Sequence, residues 1–391
     1  MTTGSSHPSP RWFVLVLSAL ATSLAACDKE TPAAPDAAVD APTDVAPSPD
    51  ADVPTPPPDV PTPPPDVAPD VAPDVASDAA ADVASDGPTM GGVASRAIVS
   101  CGSVCSRPLD AVPDSMGRNV YFTAYAADGN TGVFRAAIPA PGMPPATPTA
   151  IVTGMGLEFP LGIAISNDDA TLYIADQTAD RGMRPGAGAV FSLPTAGGAP
   201  SVLNVGDAMV HPVSLTLTTD GSDLLIGAQQ EEVDAMMAVT RRRALFRVAR
   251  TGGSAMLVTS DLVDPSGISQ SPSGTVLCHD TRRGGGRSAT AVAIGRDGVT
   301  NFAGGLVANY PAGLGYSVDG RFALFSGADP DVGPGMLTFA GMDGTANASM
   351  ALSAGMVTPQ GLHRARMVDA WAVADERANE TGQVFLVTRA P

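Results

Sequence analysis

Charge is scarce in this chain, and positive charge is the scarcer kind. Only 16% of its 391 residues are charged, with 22 Lys and Arg against 40 Asp and Glu. That balance excludes a nucleic-acid partner, because gripping phosphates needs a basic face. Aromatics make up 5%, and there are four histidines and four cysteines. No serine-centred elbow, CxxC pair, HExxH helix or phosphate loop occurs. The glycines of RRGGGR at 282–287 lack the strand-turn-helix setting that a phosphate loop requires. Long hydrophobic runs are missing too. WFVLVLSALATSLAAC at 12–27 follows Arg11, ends in small residues and is too short for a comfortable membrane span.

Proline (37) and glycine (42) are abundant. The run after Arg11 reads as an export signal over residues 1–26. Its last four residues, Leu24-Ala25-Ala26-Cys27, resemble a bacterial lipobox. That resemblance implies cleavage before Cys27, a lipid on its thiol, and anchorage to the cell envelope at the periplasmic face or the cell surface. Residues 27–91 then form a low-complexity tether, as in DVPTPPPDVPTPPPDV. Proline keeps it extended, regular aspartates repel one another, and few large apolar side chains offset the ordering entropy. At about 3.1 Å per residue such a spacer reaches roughly 200 Å at most. Residues 28–95 contribute −13 to the net −18 and Arg11 contributes +1, leaving −6 on the remainder.

Residues 92–391 are periodic. Copies of one pattern begin at Pro108, Pro160 (PLGIAISNDDATLYIADQ), Pro212, Pro265, Pro311 and Pro359, with spacings of 52, 52, 53, 46 and 48. A period near 50 with room for four strands predicts propeller blades. Small residues stand two positions after the proline (Gly162, Ser214, Gly267, Gly313, Gly361), as a strand near a crowded central axis requires. The sixth copy holds only three strands, so residues near 94–100 are expected to complete it and close the ring. The expected fold is all-β: a six-bladed propeller of four-stranded antiparallel blades.

The pattern P-x-G-I-x-x-S-x-D-x-x-x-L-Y-I-A-D resembles the six-bladed propellers of the NHL-repeat and gluconolactonase-like superfamily, over about residues 92–391. The superfamily hosts enzymes, binders and scaffolds alike. In its gluconolactonase-like enzymes a divalent cation sits in the channel, held by a glutamate ahead of an inner-strand proline, an Asn-Gly asparagine and an Asp-Gly aspartate. Glu158 matches the glutamate, and the other two have no counterpart at matching places. A binding or interaction module is therefore the expected function, with no cofactor. A metal-dependent lactonase-like hydrolase is the alternative.

Long loops between second and third strands carry Arg181, Arg184, Arg241, Arg242, Arg243, Arg282, Arg283 and Arg287. They gather arginine on one face, suited to an acidic protein or envelope glycan. On the same face the residues preceding the prolines are expected to ring the channel mouth: Arg107, Phe159, His211, Asp264, Tyr310 and Thr358. His211, His279 and His363 read as packed, hydrogen-bonded histidines. Asp176, Asp280 and Asp375, which end second strands, read as acceptors for backbone N–H groups of the following turn. Cys101 and Cys105 are a disulfide candidate in an exported domain, and Cys278 reads as a buried strand residue.

Overall fold

The computed structural model describes residues 93–389, except 286–287, 308–311, 329–334, 343–346 and 351–354. The signal segment, Cys27, the tether, Tyr310 and Arg287 lie outside the described residues. Regular structure within them is entirely strand, arranged as six four-stranded antiparallel sheets. Five blades are continuous in sequence. The first comprises Cys105–Pro113, Asn119–Ala126, Thr131–Ala137 and Thr149–Thr153. The sixth takes Pro359–Arg364, Ala370–Asp375 and Gln383–Arg389, and its outer strand is the N-terminal Val93–Ser100, paired from Val93↔Arg389 to Ser100↔Gln383. The ring thus closes by joining the two ends of the propeller in one sheet, which leaves no blade unpartnered.

Blades stack face to face, so their middle strands are covered on both sides. Ala370–Asp375 is buried at every position, which is why it reads as an apolar run rather than an alternation. Six apolar clusters fill the junctions, one between each pair of neighbouring blades. Phe122 and Phe134 stack between the sixth and first blades, with ring centroids 5.5 Å apart. Trp371 is fully buried between the fifth and sixth, edge-on to Phe339, and its indole N–H donates to the Gly315 carbonyl. Each fully buried side chain of this size contributes about 2–3 kcal/mol.

The repeated prolines and glycines have one packing role between them. At Gly188 the backbone is left-handed (φ 76°), and a Cβ there would lie 2.6 Å from Cδ of Pro212 in the next blade. The layer two residues after the proline is small because it faces the neighbouring inner strand: a Cβ added at Gly267 would lie 2.6 Å from the Gly313 carbonyl carbon.

Two constructions lead the chain into the inner strands. In the second, fourth and sixth blades the strand begins at its proline, and the aspartate ending the second strand holds the segment ahead of it. Asp176 accepts the N–H groups of Glu158 and Phe159 before Pro160, and of Thr178 and Ala179 after it. Asp375 does the same with Val357, Thr358, Arg377 and Ala378, and Asp280 accepts from Val263 and Asp264. Burial pushes the Asp176 and Asp375 carboxyls up, against the pull of their N–H donors. The expected turn contacts are present for Asp176 and Asp375, but half of each set goes to the preceding loop, a link that local sequence does not reveal. In the first and third blades the inner strand starts earlier, at Cys105 and Met209. It bulges at the pre-proline residues Arg107 and His211, both left-handed at φ 53° and 49°.

Candidate functional site

The channel has two unlike ends. At the end that carries the blade-to-blade connections, Leu109, Leu161 and Val213 touch one another and are backed by Tyr125 and Phe159. These one-after-proline side chains form an apolar plug on the side of the first three blades, and the layer continues through the buried Ser266, Ala312 and Gln360 of the other three. Around the plug, most arginines are matched by acids. Arg107 pairs with Glu376 at 2.5 Å and lies over the Tyr125 ring. Glu231 takes both Arg184 and Arg241. Asp264 takes Arg243 at 3.4 Å and Arg282 at 3.3 Å, and Arg283 reaches Asp261 and Asp280. Arg242 is exposed and makes no ion pair among the described residues. Burial raises the Glu231 carboxyl, but its hydrogen bond to Arg241 and the charges of Arg184 and Arg241 outweigh that and hold it below its ordinary range. Of the residues expected at this mouth, Phe159 backs the plug, Arg107 and Asp264 are in ion pairs, and His211 Nδ1 lies 3.1 Å from the Gln177 carbonyl oxygen.

The other end, formed by the hairpins between first and second strands, is open. A cavity of 410 Å³ is lined there by the hairpin regions of all six blades, with Val318 from the fifth. Its rim is built by short polar turns. Ser166 binds Asp168, Thr218 binds Asp220 at 2.6 Å, and Ser317 binds Asp319 at 2.6 Å, each hydroxyl also accepting the N–H that closes its hairpin.

The cavity floor is the layer four residues after the prolines: Val112, Ala164, Thr216, Ser269, Gly315 and His363. Below it the layer two residues after the prolines is Asp110, Gly162, Ser214, Gly267, Gly313 and Gly361. Each layer has a single titratable side chain, and the two meet. His363 Nε2 lies 3.0 Å from Asp110 Oδ2. Asp110 is 4% exposed, and its oxygens also accept the N–H groups of Ala111 and Ile163 at 2.9 Å. Gly361 is glycine because Asp110 fills the place of its Cβ. A carboxylate on Nε2 fixes the ring tautomer and leaves Nδ1 for the cavity, where no described residue hydrogen-bonds it. Between floor and plug lies a void of 20 Å³ lined by Asp110 and Ser214, room for about one water. Ser214 Oγ, buried without a partner, suits such a water.

Sequence reasoning found His363 on an inner strand but missed Asp110 as its partner. The signal was available: in PLDAVPDS, the first copy, the second residue after the proline is the one acid of that layer. His279 departs from expectation differently. It is fully buried, edge-on to Phe325, and neither ring nitrogen makes a well-formed hydrogen bond to a described residue; burial, partly opposed by the Gly313 backbone, lowers its pKa to about 4. Cys101 and Cys105 form a disulfide, and Cys278 is buried, where desolvation raises its thiol pKa strongly. Glu158 is exposed, and its contact with Asp176 runs through its backbone N–H. Among the described residues no three His, Cys, Asp or Glu side chains come together as a metal would require. The donor set therefore does not fit a resident divalent cation.

No protein-family model matches the chain, and no curated protein is close enough in sequence to count as a relative. Solved structures do match its shape. One is a structural-genomics target provisionally described as a gluconolactonase, with a TM-score of 0.50 and 14% identity over 76% of this chain and 92% of that one. Another is a gluconolactonase from Xanthomonas campestris, described as important in secondary glucose metabolism, with a TM-score of 0.50 and 15% identity over 77% of this chain and 91% of that one. The class is thereby defined: a closed six-bladed β-propeller. Within that class this chain has the gluconolactonase-like architecture, a likeness of fold.

Proposed function

We propose that this chain is an exported, lipid-anchored binding protein whose propeller takes a small polar ligand in the hairpin-face cavity. The observation that carries this reading is the unlike ends of the channel: among the described residues a buried layer around Leu109, Leu161 and Val213 lies across one end, and a 410 Å³ cavity with a partly polar floor opens at the other. The lipobox-like Cys27 and the Pro/Asp tether support the anchored part. The test is thermal melting of the full-length protein against sugars, amino acids and small organic acids, beside the variant Ser269→Trp, which fills the floor. A ligand at a hundred times its Kd adds about 2.7 kcal/mol, a shift of several degrees. It should raise the wild-type midpoint and leave the Trp variant unmoved. Equal shifts in both would place binding elsewhere and sink the reading. Loss of radiolabelled palmitate incorporation in Cys27→Ala tests the anchor.

A second reading, docking of an envelope protein at the arginine-bearing face, is favoured by one observation. The hairpin of Asp223–Val233 and Val239–Ala249 has the longest strands among the described residues and exposes Val233, Met236, Met237 and Val239 around its tip. Replacing Arg241, Arg242 and Arg243 with serine should then weaken capture of that partner and leave cavity binding intact. The gluconolactonase-like fold supports a hydrolase only coarsely, and among the described residues the exposed Glu158 belongs to no cluster of three His, Cys, Asp or Glu side chains.

A further inference from the structure

The cavity's donors and acceptors are unevenly satisfied. Two acids share it. Asp110 has both oxygens occupied, by the N–H groups of Ala111 and Ile163 and by His363. Asp169 has both occupied by Ser115, one by its N–H at 2.9 Å and one by its hydroxyl at 2.5 Å. Two arginines share it as well, and neither has an acid partner among the described residues. Arg364 Nη1 donates to the carbonyls of Ala365, Arg366 and Val368, which holds the guanidinium in place, while its Nε and Nη2 have no described partner. Asp369 and Asp319 act on Arg364 through their charge only and make their ion-pair contacts with Arg389, at 4.0 and 3.7 Å. Arg366 reaches past the first blade's hairpin, and its Nη2 donates to the Asn167 carbonyl of the second blade. It is thus stretched along the cavity mouth.

These two arginines and His363 come from four consecutive positions, 363–366, on the sixth blade. The acids come from the first and second blades. The two arginines thus start from one wall, Arg364 held on its own hairpin and Arg366 crossing the mouth to the second blade, and both keep N–H donors without a described partner. At the plugged end, by contrast, Glu231 and Asp264 each take up two arginines.

Building on the cavity reading above, we infer that the ligand carries a carboxylate, bound by Arg364 and Arg366 with His363 Nδ1 facing the rest of the molecule. A planar guanidinium fork matches a carboxylate, and Asp169 in the same lining leaves the two arginines a surplus of one positive charge, which suits a single negative charge.

The test uses the full-length protein and matched probes: glucuronate against glucuronamide, and 4-hydroxybenzoate against 4-hydroxybenzamide, titrated by calorimetry, with inorganic phosphate as a competitor. At least one acid should bind saturably and at least tenfold tighter than its amide. Arg366→Gln should weaken that acid about tenfold, Arg366→Lys should recover part of the loss, and Ser269→Trp should abolish binding. Melting midpoints of all variants guard against misfolding. Amides that bind as tightly as acids, and lose binding in Ser269→Trp, would keep the cavity reading and overturn the carboxylate. Phosphate displacing the acids at equal concentration would overturn it too. Binding that survives Ser269→Trp, or no binding by any probe, would overturn both.

Discussion

The two ends of this propeller's channel are made from the same six inner strands, yet they do opposite things. At the connection end three of the six strands are held by buried carboxylates, Leu109, Leu161 and Val213 pack together, and most arginines outside are paired with acids. At the hairpin end the turns satisfy themselves through Ser-x-Asp and Thr-x-Asp contacts, no apolar plug forms, and arginines keep donors in reserve. The lesson is that a visible concentration of charge does not mark the site. Charge that is matched within the fold is spent on the fold, whereas two unmatched arginines beside a cavity remain available to a ligand.

The comparison breaks most severely at Asp176. It accepts four backbone N–H groups at the connection end, and each buried donor left without a partner costs about 1–3 kcal/mol. Asp176→Ala should therefore lose about 4 kcal/mol in urea unfolding. The bulged third blade does without this device, since Ala228 stands at the corresponding position, so Gln229→Ala beside it should lose less than about 0.5 kcal/mol. Equal losses would erase the distinction between clamped and bulged blades.

Next in size is an acid response. His279 is held neutral in the fold, with its pKa lowered by burial to about 4 against an ordinary 6.5. Below pH 6.5 the unfolded chain takes up a proton that the folded chain refuses. Stability should thus be full above pH 6.5 and fall by about 3 kcal/mol as the pH drops toward 4. His279→Phe should flatten that part of the profile. An unchanged slope would show that His279 finds a partner in the fold.

The smallest effect sharpens the contrast between the faces. Glu231→Gln removes the acid shared by Arg184 and Arg241, yet both arginines are partly solvated. The expected loss is about 1 kcal/mol or less, shrinking in high salt. The same substitution should leave ligand binding in the cavity unchanged, since Glu231 belongs to the opposite end.

Much of the fold was legible in the chain. The spacing of the prolines, the small residues two places after them and the missing fourth strand of the last copy predicted six blades and their closure, because each repeat must present the same narrow inner strand to the same axis. The bulged inner strands at Arg107 and His211 were not legible. Nothing local distinguishes a proline that opens a strand from one that sits inside it.

The candidate site was legible only in fragments. Asp110 and His363 stand 253 positions apart, in the first and last copies of the repeat. Sequence by itself determined that each is the one titratable side chain of its layer. Only closure of the ring, by pairing Val93–Ser100 with Gln383–Arg389, makes the first and last blades neighbours and brings the two side chains within a hydrogen bond. The plug was likewise decided in three dimensions. Leu109, Leu161 and Val213 look like ordinary strand residues in one dimension, and they pack together across one end of the channel because the taper of the blades leaves their side chains nowhere else to go.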